Sequence, residues 1–560
     1  MTLLPLALLV ALVLGTAYLT YGRLLGRLFR LDPDAATPAV ALQDGIDHVP
    51  TEPKYLIGQH FSAIAAAGPI VGPILAGAMF GWLPALLWIL VGSVFVGGVH
   101  DFSALVASIR HQGKSIARVV RDHVNRRAFI LFLLFIWLAL VYIIVAFTDI
   151  TAQAFVGEQT LENGQVVRGA GIATSSLLYL LIPIAMGLLL RYTKLSLAAA
   201  TAIFLPLVIA AIVVGQYAPL DLGAWLGISE AQTHKVWDVA ILLYCVAAAM
   251  TPMWLLLQPR GHLGGFFLFG FLAVGVLGAL LGGEPVRYPA FVGWTTAKGE
   301  TLAPILFITI ACGAVSGFHS LIASGTTAKQ LKRETDARPI GYGTMLLEGG
   351  VAFLALSCVM MLPAGGAGAA PNLIFANGIG GFLERVGVPA TIAISIMLMA
   401  FTTFVYDTLD VCTRLGRYIV QELTGWHDRR GAWLGTVLTA AVPLLFVTQQ
   451  MTDAAGKPVP AWRVFWGLFG ASNQLLAALT LLGVTVWLAR TGRRWAFAVT
   501  GLPCLLMYVM SCWALFGMVR TGTGGPVAYV GALLLVLAAW MLVEAVGAFR
   551  SRREPTPVTA

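Results

Sequence analysis

Of the ionisable side chains inside long apolar runs of this chain, six stand out, each toward one end of its run: His60, His100, Asp101, His319, Asp407 and Asp410. Such groups are costly in an apolar setting, so they mark proton or ion pathways by default, with helix-to-helix hydrogen bonding as the competing role. Imidazole titrates near neutrality, which suits His60 and His319 to proton coupling. Asp407 and Asp410 share a helix face, and Asp410 precedes Arg414 by four residues, the favourable order for an intrahelical ion pair. Asp410 therefore divides between a gate and a structural pair. Asp407, with no basic residue one turn away, is the better candidate for binding a proton or cation. Ser316, Ser320 and Ser324 offer hydroxyls at helical spacing to a substrate or to Na⁺, and Gly317 and Gly325 between them allow close packing. Asp149 and Glu348 are isolated acids, readable as relay members or as buried partners. The step Ser472-Asn473-Gln474 reads as bonding between neighbouring helices.

Other chemistries fare worse. His60, His319 and the carboxylates have the ligand types of a metal site, but no pair has a diagnostic spacing, so no metal is assigned. HExxH, GxSxG and GxxxxGK[ST] are all missing from the sequence, which leaves a membrane-embedded metal-dependent enzyme as the weaker class and provides no nucleotide motor. The six cysteines fall in or at the edges of apolar runs without a CxxC pair, and read as small core residues.

The elements that must position these groups follow from composition. Of 560 residues, 58% are apolar and 11% charged, with a mean hydropathy of +0.85. A soluble chain carries about a quarter charged residues, so lipid must cover much of this one. Apolar runs of bilayer length predict fifteen spans, near 3–21, 60–82, 84–109, 128–152, 173–190, 197–216, 237–258, 263–282, 302–323, 340–362, 389–411, 432–448, 464–489, 495–518 and 526–547. The first run has no preceding basic residue and is followed by Arg23, Arg27 and Arg30, so it reads as a retained span with the N-terminus outside. On that topology the inside segments hold 27 of the 35 Lys and Arg, in keeping with the positive-inside rule, and the C-terminus lies inside. The basic residues are scattered over eight segments, so the net charge of +9 does not signal nucleic-acid binding. No low-complexity tail is expected beyond about the last ten residues.

Two spans carry helix breakers. The run Ala65-Ala66-Ala67-Gly68-Pro69-Ile70-Val71-Gly72-Pro73 interrupts the second, and Ala247-Ala248-Ala249-Met250-Thr251-Pro252 interrupts the seventh. Proline removes a backbone donor and clashes with the preceding turn. Broken helices at corresponding places in oppositely oriented halves point to a secondary transporter with its substrate at the midplane. The domains expected are an N-terminal span and loop (1–58), a first five-helix repeat (59–216, spans 2–6), a second, inverted repeat (217–424, spans 7–11) and peripheral spans 12–15 (425–560). Pro69 and Pro252 would each open a half-helix, leaving free N–H groups that favour an anion. With no Lys or Arg at a span centre, a small carboxylate or the carboxyl end of a peptide fits. The expected substrate site is Ala67, Gly68, Pro69, Thr251, Pro252, Ser316 and Ser320. The expected coupling and gate residues are His60, Asp101, His319, Ser324, Asp407 and Asp410.

Four long motifs occur in order: Gly58-Gln59-His60-Phe61-Ser62-Ala63-Ile64 leading to Ala67-Gly68-Pro69; Ser316-Gly317-Phe318-His319-Ser320-Leu321-Ile322 with Ser324-Gly325-Thr326-Thr327; Thr408-Leu409-Asp410 with Thr413-Arg414-Leu415 and Arg417-Tyr418; and Phe469-Gly470-Ala471-Ser472-Asn473-Gln474-Leu475-Leu476-Ala477-Ala478. From about residue 40 to 490 the chain resembles the carbon starvation protein A family. The resemblance implies an all-α carrier of the bacterial inner membrane, in the amino acid-polyamine-organocation superfamily, with a LeuT-like core. It also implies uptake of pyruvate by proton symport, or import of small peptides under carbon limitation, with no cofactor beyond a coupling H⁺ or Na⁺. Where the family has Gln before the aspartate of the third span this chain has His100, so no role carries over to that position. The longest members also extend further at the C-terminus.

Overall fold

The computed structural model describes residues 1–44, 48–160, 166–296, 299–452, 457–521 and 525–550, so the expected C-terminal tail lies outside the described residues. Lipid offers no hydrogen-bond partners, so a spanning segment must satisfy its own backbone, and the apolar runs become helices. In chain order the principal ones are α1 (Leu3–Leu19), α2 (Pro53–Ile64), α3 (Gly68–Phe80), α4 (Trp82–Arg110), α5 (Arg126–Ala154), α6 (Gly169–Tyr192), α7 (Leu197–Tyr217), α8 (Glu230–Met250), α9 (Leu257–Leu281), α10 (Leu302–Thr309), α11 (Phe318–Gly325), α12 (Thr344–Met361), α13 (Ala390–Thr424), α14 (Arg429–Thr448), α15 (Ala461–Arg490), α16 (Leu502–Thr521) and α17 (Pro526–Arg550). Among the described residues thirteen helices are long and apolar enough to cross a membrane, and α2 with α3 forms a further, bent pair at 48°.

Local signals set the ends. The Asn125 side chain accepts from the Ala128 N–H at 2.8 Å to start α5, and Ser229 with Gln232 forms a capping box at α8. Gly81, at φ +93°, turns the chain from α3 into α4 where a Cβ would lie 2.5 Å from the Ala290 carbonyl. A short hairpin pairs Glu158–Thr160 with Val166–Arg168.

One break falls as expected: residues 65–67 separate α2 from α3, and Pro69 sits in the first turn of α3. The second does not. Thr251-Pro252 lies in the connection between α8 and α9, two complete helices of 21 and 25 residues, and interrupts neither. The other discontinuity is in the expected ninth span, where residues 310–317 leave the helix between α10 and α11. The two interruptions touch. A Cβ on Gly68 would meet Cys312 Sγ at 2.3 Å, one on Gly72 the Thr309 carbonyl at 2.4 Å, and one on Gly313 lies 3.5 Å from the Pro69 Cα. Glycine at these positions allows backbones to approach as only small residues permit.

The centre of the bundle is formed by α15 and α13, whose most apolar windows are 94% and 89% buried, against 22% for the first span. The polar step of α15, expected outside the core, is thus at its centre.

Candidate functional site

Two clusters of ionisable side chains occupy the interior toward the face that carries Arg110, Lys329 and Arg338, termed here the basic face. The first gathers around His319, in the first turn of α11 directly after the interruption. Its Nδ1 lies 2.8 Å from Asp101 Oδ2 and its Nε2 3.3 Å from Glu348 Oε2, so one imidazole bridges two carboxylates. Asp101 Oδ1 is 2.7 Å from His100 Nδ1, and the Ile64 carbonyl at the end of α2 also faces the His319 ring. His60 sits one turn before that carbonyl, with its Nδ1 2.8 Å from Thr327 Oγ1. His60, His100, Asp101, His319 and Glu348 are all at most 1% exposed. A π-type stretch, Ser93–Gly97, precedes His100 in α4, a distortion frequent beside functional residues.

The second cluster surrounds Arg260. This guanidinium, fully buried in the first turn of α9, bonds Asp407 through Nε and both Asp410 and Tyr244 through Nη1. Ser62 donates to Asp407 Oδ2 at 2.7 Å and Tyr244 to Asp410 Oδ2 at 2.7 Å. Gly264 makes room, since a Cβ there would lie 2.8 Å from Asp407 Oδ2. A cavity of about 50 Å³, lined by Gln59, Gln258, Thr326 and Asp407, reaches the cluster from the basic face.

These contacts correct three readings. Asp407 does have a basic partner, supplied by a different helix. Asp410 pairs with Arg260, whereas Arg414 turns to the end of α8, donating to the Ala248 and Thr251 carbonyls at 2.8 and 2.6 Å. Arg417 bonds the Ala249 carbonyl at 2.8 Å. The segment 248–252 is therefore a helix C-terminus covered by cations, and no N-terminal anion site forms at Thr251-Pro252.

Most of the remaining expected residues sit at the interruptions. Gly68 and Pro69 are packed against the 310–317 segment, and Ala67 is buried beside them. Ser316 Oγ accepts from Asn473 Nδ2 at 3.0 Å. Ser320 Oγ bonds the Gly317 carbonyl at 2.7 Å and lies 3.1 Å from Thr480 Oγ1. Ser324 Oγ bonds the Ser320 carbonyl at 2.7 Å and lines a 520 Å³ cavity on the basic face. Asn473 Oδ1 accepts from the Phe318 N–H at 3.0 Å, the Asn473 carbonyl accepts from Gly317 N–H at 3.1 Å, and Gln474 Nε2 donates to the Phe307 carbonyl. The amides of α15 thus satisfy both ends of the interrupted span.

Sequence reasoning missed Arg260, and Glu348 as a partner of His319, while the amides of Ser472-Asn473-Gln474 do bond neighbouring helices as read. The available signals were a basic residue immediately before an apolar run and a lone acid inside one.

The arrangement defines a class: a polytopic helical membrane protein with interrupted helices in contact and charges sealed beside them. The chain belongs to the carbon starvation protein CstA family, whose pattern it matches over residues 1–373 and 364–514. It is 32% identical over 591 residues, 95% of each chain, to the peptide transporter CstA of Bacillus subtilis (strain 168). It is 30% identical over 573 residues, 87% of this chain and 78% of the other, to the pyruvate/proton symporter BtsT of Escherichia coli (strain K12). Among solved structures, a manganese transporter of Eremococcus coleocola aligns with 91% of this chain and 99% of its own at 13% identity and a TM-score of 0.44.

Proposed function

We propose that the chain is a proton-coupled carrier that imports pyruvate, a similar small carboxylate, or a small peptide across the bacterial inner membrane. The names of its relatives support both substrate classes and do not choose between them; they favour a carrier over a membrane-embedded enzyme. The observation that carries the coupling is the bridge Asp101–His319–Glu348. With neutral imidazole the three groups hold two negative charges, and two added protons neutralise them. Sealed charges without partners are strongly unfavourable, so a closed site favours the proton-loaded set, and access to water on one side permits release. Glu348, whose carboxylate oxygens have no hydrogen-bond partner, is the proton acceptor most dependent on that exchange.

The substrate is assigned to the place where the interruptions meet, near Ala67, Gly68, Pro69, Ser316 and Ser320, with the N-terminal end of α3 favouring a carboxylate. The interrupted α10–α11 pair counts as one span, giving fifteen in all, with the N-terminus periplasmic and the two broken spans, 2 and 9, running in opposite directions. Asp407, Asp410 and Ser324 belong to the inner gate, reached through the cavity at the basic face.

The test is uptake of labelled pyruvate into proteoliposomes under an inward proton gradient, with and without excess unlabelled di- and tripeptides. Uphill uptake abolished by a protonophore and unchanged by peptides establishes a monocarboxylate symporter. A peptide-dependent proton influx without pyruvate uptake establishes peptide import. Accumulation driven by Na⁺ alone, or full proton-driven accumulation by Glu348→Gln, would sink the coupling assignment.

A further inference from the structure

A third buried cluster lies at the opposite face of the bundle and plays no part in the coupling scheme. Asp149, in the last turns of α5, and His234 and Asp238, one turn apart on α8, bring one ligand atom each to within 4.8 Å of one another. His234 Nε2 is 3.2 Å from Asp149 Oδ1 and 4.0 Å from Asp238 Oδ1. Both aspartates are fully buried. Asp149 Oδ2 is engaged, accepting from the Trp462 N–H at 2.9 Å at the start of α15. Neither oxygen of Asp238, nor Asp149 Oδ1, has a hydrogen-bond partner. The cations nearest Asp238 are His234 at 4.0 Å and Lys235 Nζ at 3.7 Å, and the Lys235 ammonium is already bonded to the Val447 carbonyl. Two buried carboxylates thus point unsatisfied oxygens at one imidazole. His234 also lines a 510 Å³ pocket at that face, together with Gln153, Glu230 and Asn372, which provides an entry path.

We propose that Asp149, His234 and Asp238 bind a first-row divalent cation, Zn²⁺ by preference, taken up from this pocket. With metal–ligand bonds of about 2.0–2.1 Å, ligand atoms of a tetrahedral site stand about 3.3 Å apart. The His234–Asp149 separation, 3.2 Å, already has that value, and Asp238, 4.0 Å from the imidazole and within 4.8 Å of Asp149, closes the triangle by moving up to about 1.5 Å. One nitrogen and two carboxylates suit Zn²⁺, with water from the pocket as fourth ligand. Ca²⁺ needs six to eight oxygens, more than the cluster offers. The +2 charge replaces the proton that the imidazole would otherwise carry between the two aspartates, as metal binding at histidine requires. The bound ion joins α5 to α8.

The experiment uses the full chain in detergent, stripped with chelator, loaded with Zn²⁺ alone and passed through gel filtration before metal analysis. Wild type should retain about one zinc per chain and unfold at a higher temperature with zinc than without. Asp238→Asn and His234→Gln should each retain at least tenfold less and lose the thermal shift. Two variants are used because either alone could misfold, and a normal elution profile is required of each. Wild type without retained zinc, variants that retain as much as wild type, or displacement of the zinc by equimolar Ca²⁺ would each overturn the proposal. Retention is independent of transport, so it stands or fails separately from the carrier reading.

Discussion

Replacing Arg260 with methionine isolates the largest electrostatic commitment in the bundle. The side chain keeps its bulk and loses the cation that, among the described residues, contacts both Asp407 and Asp410. At an effective dielectric of about 20, unit charges 4 Å apart attract by about 4 kcal/mol. Removing one partner of a buried pair costs about 3–5 kcal/mol, because the other is left uncompensated. A ceiling follows from the alternative open to each aspartate, which is to take a proton. From the reference value near 3.9, that costs about 4 kcal/mol per carboxylate at pH 7 and about 1.5 kcal/mol at pH 5. Ser62 and Tyr244 still donate to the two carboxylates, so the expected deficit at pH 7 is about 3–5 kcal/mol, falling to less than half at pH 5. Thermal or denaturant unfolding of the purified protein at both pH values, followed by loss of the monodisperse peak, reads the difference. The triple variant Arg260→Met, Asp407→Asn, Asp410→Asn, uncharged throughout, should recover most of the loss. A single variant as stable as wild type, or an equal deficit at both pH values, would refute the reasoning.

Three other perturbations test separate parts of the structure. Asn473→Ala leaves the Phe318 N–H without its acceptor and should cost about 1–3 kcal/mol, seen as a lower unfolding midpoint with α15 otherwise intact. Gly68→Ala forces a methyl to 2.3 Å from Cys312 Sγ and should destabilise by about 1–3 kcal/mol. Gly15→Ala, with nothing within 4 Å of the new atom, should be neutral or stabilising by up to about 1 kcal/mol; equal effects in the two would contradict the close crossing. On the basic face, outside the spans, the His111 and His123 Nε2 atoms lie 2.9 Å apart beside Trp487. Burial holds both imidazoles below their usual range, His123 at about 4. The unfolded chain then binds more protons between pH 6.5 and about 4, so stability is complete above 6.5 and falls as pH drops through that window. His123→Phe should flatten the decline, and unfolding midpoints at pH 7.5, 6 and 5 will show whether it does.

How far the sequence could be read follows from what lipid enforces. A segment that must satisfy its own backbone in hydrocarbon has to be apolar over a bilayer length, and the long helices follow from that. The interruptions are harder. Thr251-Pro252 and Gly68-Pro69 have the same local signature, because proline after a finished helix and proline opening a half-helix are alike over six residues. Only the length of helix on either side separates them. The true partner, residues 310–317, contains no proline, and its Gly313 and Gly317 are ordinary in a membrane helix. Arg260 falls in a connection between the predicted spans because α9 starts at Leu257, before its apolar run does, so a boundary six residues too late hides the partner of Asp407. Contacts such as Glu348 with His319 join residues far apart in the chain, and no local pattern carries them.

The polar residues at membrane depth divide by what they touch. Arg414 and Arg417 cover the carbonyl end of α8, Asn473 and Gln474 close the two ends of the α10–α11 gap, and Asp149 receives the Trp462 N–H in the first turn of α15. Each compensates backbone groups that hydrocarbon cannot solvate, so each is required wherever a helix ends inside the bundle. A different set meets mainly other side chains: His319 with Asp101 and Glu348, and Arg260 with Asp407 and Asp410. No helix end demands these charges, and apolar residues of similar volume would pack there at no greater cost. Their presence in the interior therefore needs a reason beyond folding, and the proton exchange proposed for this carrier would provide one. The same test separates two halves of one residue in the third cluster, where Asp149 Oδ2 holds a helix start while Asp149 Oδ1 and Asp238 remain open to a ligand.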